Sequence, residues 1–207
     1  MKKSKLLDAL GGFIDLTLAG LLWLVCSLPV ITVGTSTAAL YYTVVKRVRR
    51  DRGHTVQTFL GAFKSNFRDS FVIWLLYLAY IAIGAADKFA YKMMGLGEEG
   101  IFASLALLFF IPPVVTFSWM FAYISRFSNT KKNYFLAAVS LTVRHFGRTV
   151  LLVLILAGTA ALVYLVPITL PVIIGPCALL SSLVIEPVFY TLTKDINTDG
   201  MDPWFNE

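Results

Sequence analysis

The tetrapeptide "LPVI" occurs twice, at Leu28–Ile31 and at Leu170–Ile173, and a variant, "IPPV", stands between them at Ile111–Val114. Each proline sits among long apolar blocks, and the solvent around those blocks decides how it is read. The chain has 207 residues, 57% hydrophobic and 14% charged, with a mean hydropathy of +0.75. A soluble domain carries about a quarter charged residues. This chain is too apolar for a water-facing surface of ordinary polarity, so lipid must be the solvent for much of it.

A helix crosses the hydrocarbon with about 20 mostly apolar residues. Five blocks reach that length: Ala9–Leu28, Phe71–Ala90, Ile101–Ile124, Thr149–Pro167 and Pro171–Thr193. A sixth, Pro29–Val45, is shorter and rich in Thr, Ser and Ala, but the chain must return across the membrane before its next basic cluster. Backbone groups cannot stay unpaired in lipid, so all six are expected to be helical. The predicted fold is all-α: one membrane domain over 1–207, with six transmembrane helices in three hairpins at about 9–46, 71–126 and 149–193. In this reading the hairpin prolines Pro29, Pro112, Pro113 and Pro171 lie near the outer turns, where a proline starts the returning helix without losing a needed N–H. "LPVITVG" at Leu28–Gly34 parallels "LPVIIGP" at Leu170–Pro176, which suggests an internal repeat. Pro112–Pro113 fits least well, because about ten apolar residues precede it; the alternative is a kink within the fourth span.

Charge placement supports the same topology. Of the 18 Lys and Arg residues, 16 fall at the N-terminus, in the even-numbered loops or after the last span. Only Lys88 and Lys92 lie in an odd loop, beside Asp87, Glu98 and Glu99. The positive-inside rule then predicts a cell-membrane, multi-pass protein with both termini in the cytoplasm. It also accounts for the net charge of +6 without nucleic acid as a partner. "MKKSK" and the following apolar run imitate a secretory signal, but Asp8 and Asp15 interrupt the run and no convincing cleavage site closes it, so the segment reads as a retained span.

Two amphipathic helices are predicted on the cytoplasmic surface, at about 55–68 and 133–146, each leading into a span. The first has Val56, Phe59, Leu60, Phe63 and Phe67 at helical spacing; the second has a weaker stripe of Phe135, Ala138, Thr142 and Phe146. Lys64, Asn66 and Arg68 in one, and Arg144, His145 and Arg148 in the other, form a candidate cytoplasmic interface. The tail 195–207 is short, acidic and aromatic, and Trp204 either packs back onto that surface or belongs to a free acidic end.

The candidate intramembrane polar site is Asp15 and Glu186. Asp15 lies about two turns into the first span, and Glu186 about 12 Å from the end of the last. Pro187 follows Glu186 and frees a backbone carbonyl one turn earlier. A carboxylate at such a depth is a functional candidate by default, set against an ion pair with Arg68, Arg126 or Arg148, or a hydrogen bond to the second span. His145 has a side chain able to titrate near neutrality. No cofactor, metal or catalytic residues are expected: Cys26 and Cys177 make no metal-binding spacing, and no Walker A, HExxH, GxSxG or GxGxxG pattern occurs. A disulfide between the two cysteines is left open.

The run "LLWLVCSLPVITVGTSTAALYYTVVKRV" at 21–48, "FKSNFR" at 63–68 and "DPWF" at 202–205 together resemble the YesL-like family of bacterial membrane proteins, a family of unknown function. The resemblance implies a setting in carbohydrate uptake through ABC importers and assigns no catalytic residues. The function expected from it is a non-enzymatic accessory or interaction subunit, in contact with an importer permease or ATPase. The alternatives are a small-solute transporter or channel using an intramembrane carboxylate, and a regulator of a sugar-responsive sensor kinase.

Overall fold

The computed structural model describes residues 2–93, 101–127 and 129–195, and among the described residues there is no strand. The order is α1 (Lys2–Ser27), a 3-10 turn (Val30–Thr32), α2 (Val33–Thr43), a π-helical segment (Val44–Arg49), α3 (Thr55–Met93), α4 (Ile101–Arg126), α5 (Lys131–Arg144), α6 (Phe146–Leu165), a second 3-10 turn (Pro167–Thr169) and α7 (Leu170–Asp195). Among the described residues, four stretches are long and apolar enough to cross a membrane: Leu10–Ser27, Thr55–Ala86, Phe146–Leu165 and Pro167–Leu192. Only 11% to 28% of each is buried inside the protein. The remainder presents side chains such as Ile14, Leu76, Leu154 and Leu183 outward. In water that surface would be an aggregation liability, whereas in lipid it is the solvated face.

α2 is the least apolar of the expected spans and the most enclosed. Eight of its residues are buried, including Gly34, Thr35, Ser36, Ala38 and Ala39. It packs on α1, α3, α4 and α7. A helix ringed by other helices needs small side chains for close approach, and it gains little from Leu or Ile. A Cβ on Gly34 would lie 2.6 Å from atoms of both Trp74 and Phe121. The same device joins α1 to α7: a Cβ on Gly20 would meet the Pro171 carbonyl at 2.2 Å, and one on Gly175 the Leu16 carbonyl at 2.2 Å.

The two predicted amphipathic helices differ. The segment 55–68 is not a separate surface helix but the start of α3, which runs unbroken for 39 residues. No Gly or Pro lies between Lys64 and Ile83. Phe59, Phe63, Phe67 and Phe71 follow one another along one face, with ring centroids 6.4, 5.7 and 5.3 Å apart, across the expected boundary. The second segment is a helix of its own, α5, broken from α6 at His145 (φ −117°, ψ 44°). The Thr149 hydroxyl lies 3.2 Å from the carbonyls of both Thr142 and His145 and accepts the indole N–H of buried Trp119 at 3.0 Å. Thr149 thus holds the break from both its groups, since its backbone N–H also donates to the His145 carbonyl at 3.0 Å.

Pro29 lies in the turn between α1 and the first 3-10 turn, and Pro171 in the first turn of α7. Pro112 and Pro113 correct the hairpin reading: they lie within α4, whose helix begins at Ile101. A proline tolerates helical φ, and the backbone groups it frees need only find another donor. One turn further on, the Thr116 hydroxyl donates to the Pro112 carbonyl of its own helix at 2.7 Å and lies 2.8 Å from the Tyr77 hydroxyl, which joins α4 to α3.

Candidate functional site

The run "KRVRRDR" at 46–52 packs five cations and one carboxylate into seven residues. The structure sorts them. Lys46 Nζ donates to the Tyr42 hydroxyl at 3.3 Å. Arg47 pairs with Asp15 at 3.0 Å and with Asp51. Arg49 Nη1 turns the other way and donates to the Ser182 carbonyl of α7 at 2.9 Å. The π-helical segment closes with the Arg52 N–H donating to the Lys46 carbonyl, and Asp51 and Gly53, both at positive φ, redirect the chain into α3. π segments are rare and concentrate at functional sites.

On α7, Glu186 is buried. Its Oε2 accepts from Arg126 Nη2 at 3.0 Å, and its Oε1 accepts the Tyr41 hydroxyl at 2.9 Å. Of the three arginines at comparable depth in the sequence, Arg126 is therefore the partner, and the second span supplies the hydrogen bond. The three side chains tie α2, α4 and α7 together. Beside them opens a cleft of about 520 Å³, lined by Arg49, Arg50, Arg52 and Arg126 with Glu186, Pro187 and Tyr190. Pro187 supplies no N–H for the carbonyl of Leu183, next to the Ser182 carbonyl that Arg49 engages.

Asp15 and Glu186 do not meet. Asp15 accepts the hydroxyl of buried Thr55, the first residue of α3, and so joins α1 to the π segment and to α3. Lys64 and Arg68 are exposed on α3, while Asn66 is half-buried and donates to the Ala62 carbonyl of its own helix at 3.0 Å. Arg144 and Arg148 are exposed around the α5–α6 break. No hydrogen bond or ion pair joins the two sets among the described residues. His145 is half-buried beside Trp119, with ring centroids 6.2 Å apart. Desolvation first, and then the charges of Arg148 and Arg144, hold its imidazole below the ordinary histidine range, which favours the neutral ring. Trp204 lies outside the described residues. Cys26 and Cys177 are free thiols.

Sequence reasoning singled out Glu186 but missed Tyr41 and the arginine wall. The signal for Arg126 was its place at the end of an apolar block. Arg49, Arg50 and Arg52 read as loop charges, because nothing in one dimension shows which face of a π segment meets α7.

Residues 16–87 match the model of a family described as "Protein of unknown function, DUF624", the family that contains the YesL-like proteins. The matched stretch runs from α1 to near the end of α3, so it holds Tyr41 and Arg49 to Arg52, while Arg126, Glu186 and Tyr190 come from outside it. No curated protein and no solved structure matches the chain.

Proposed function

We propose that this chain is a non-enzymatic accessory or interaction subunit linked to a carbohydrate ABC importer. In this reading it crosses the bilayer six times in three hairpins, with both termini in the cytoplasm. The first 3-10 turn, α2 and the π segment together make a helical run over 30–49, long enough at about 1.5 Å per residue to cross the hydrocarbon. α4 adds 26 residues of mostly apolar sequence. The distribution of Lys and Arg supports the orientation, and the family resemblance supports the link to sugar import.

One observation favours this reading over coupled transport: both oxygens of Glu186 are already engaged, by Arg126 and Tyr41. A carboxylate held that way acts as a tie between helices rather than as a site that exchanges its partner with a solute. The exposed cations Lys64, Arg68, Arg144 and Arg148 then form the docking surface, suited to an acidic face on the permease or ATPase.

The test is affinity capture of the full-length protein in mild detergent from cells that express the importer. Permease or ATPase should co-purify, and reversing Lys64, Arg68, Arg144 and Arg148 to Glu should release them. Recovery of a sensor kinase instead would move the reading to regulation, and recovery of the protein alone would count against both. Glu186→Gln in reconstituted vesicles should lower the melting temperature and leave solute flux unchanged; loss of flux in a folded variant would restore the transporter reading. Terminal tags exposed on intact cells would overturn the orientation.

A further inference from the structure

We propose that α5 is a lipid-binding helix: it lays an exposed apolar stripe into the cytoplasmic leaflet and takes anionic phospholipid headgroups on Lys131 and Lys132. α5 has two apolar faces. Tyr134, Ala138 and Leu141 are buried. Tyr134 fixes the helix to the end of α4, donating its hydroxyl to the Phe127 carbonyl at 3.0 Å with its ring 6.1 Å from that of Tyr123. Phe135, Leu136, Val139 and Val143 recur at helical spacing on the second face, and each is between 37% and 71% exposed. A stripe of that kind needs a cover.

The neighbouring helix identifies the cover. α6 follows after a single residue, His145, and its 20 residues at about 1.5 Å each fill the hydrocarbon, so Phe146 stands at the membrane boundary. Phe146, Val150, Leu151 and Leu154 are exposed on a span that is only 11% buried, so the stripe of α5 runs on into a lipid-facing surface. A straight continuation of α6 would carry Phe135 about 16 Å out into water. The non-helical backbone of His145 (φ −117°, ψ 44°) lets α5 leave that line and stay at headgroup depth. Charge points the same way. No carboxylate occurs between Glu99 and Glu186, whereas Lys131 and Lys132, both exposed, open the helix. Phe, Leu and Val on one face, with only cations among the charged residues, is the pattern that binds an anionic lipid surface. The inference takes its leaflet from the orientation proposed above, and uses neither the importer nor the four cations assigned to docking.

The experiment uses the full-length protein with a benzophenone amino acid in place of Val139 or, as the comparison, of Ser140 at the next position round the helix. Each variant is purified and reconstituted in equal parts of phosphatidylglycerol and phosphatidylcholine. Illumination followed by mass spectrometry should give a phospholipid adduct at position 139 and a much weaker one at position 140. Phosphatidylglycerol should exceed phosphatidylcholine in the adduct by about fivefold, the gain expected of a basic residue at an anionic surface. Lys131→Gln/Lys132→Gln should bring the two lipids to equal yield. The proposal fails if position 139 cross-links to the chain's own tail, to a second copy or to nothing. It also fails if both positions yield lipid equally, or if the lysine variant keeps the preference. Should the bulky group at position 139 disturb folding, the same replacement of Val143, 71% exposed, repeats the test with the same criteria. Only lipid is present, so failure here leaves the co-purification of permease or ATPase untouched, and tags found outside the cell would change the leaflet but not the adduct.

Discussion

Asp15 and Glu186 are each held by an arginine at the same distance, 3.0 Å, yet the two pairs differ in energetic character. The Arg47 and Asp15 side chains are 27% and 19% exposed, and Arg47 is shared with Asp51, which is 90% exposed. The Arg126 and Glu186 side chains are only 2% and 8% exposed. The same contact geometry therefore sits in two dielectric settings. Near water, attraction and desolvation are both small and nearly cancel. In the interior both are large, and each charge depends on its partner remaining present. Equal distances do not imply equal contributions, and removing one partner separates the two cases.

The largest effect is expected at the buried pair. Glu186→Ala leaves the Arg126 guanidinium without its carboxylate and should cost about 3–5 kcal/mol of stability. Thermal unfolding in detergent, followed by tryptophan fluorescence, measures it. Replacing both members, as Arg126→Met with Glu186→Leu, should recover most of that loss, because an apolar pair of similar volume pays no desolvation penalty. If the double variant is as unstable as the single one, the pair supplies something beyond mutual neutralisation. A loss below about 1 kcal/mol in the single variant would instead put Glu186 in the same class as Asp15. Next in size is Tyr41→Phe, which removes one hydrogen bond to the carboxylate and should cost about 1.5–3 kcal/mol.

Much of the helical architecture could be read from the residues, because hydropathy and helical periodicity are properties of contiguous sequence. The apolar blocks at Ala9–Leu28 and Pro171–Thr193 correspond closely to α1 and α7. What the residues concealed depends on contacts between distant segments. The enclosure of α2 could be glimpsed in its small residues, but its place between α1, α3, α4 and α7 could not. Pro112–Pro113 looked like a turn because proline is ambiguous between a helix start and a kink, and the helix that runs through both from Ile101 resolves it only in three dimensions. The unbroken α3 and the divided α5–α6 arise from similar amphipathic segments. At the candidate site Glu186 was legible as an isolated carboxylate, whereas Tyr41 lies 145 positions away from it.

The smallest effect, and the sharpest test of the comparison, is at Asp15. Asp15→Asn keeps an oxygen to accept the Thr55 hydroxyl and loses only the charge facing Arg47, so the expected cost is about 0.5–1 kcal/mol. Salt distinguishes this pair from the buried one. Charges open to water are screened over about 10 Å at 0.1 M salt and about 3 Å at 1 M, while buried pairs are screened much less. Raising the salt should therefore narrow the difference in melting temperature between the native protein and Asp15→Asn. The difference between the native protein and Glu186→Gln should stay unchanged over the same range. If both gaps shrink together, water reaches Glu186 as freely as Asp15, and the buried character assigned to the tie between α2, α4 and α7 is wrong.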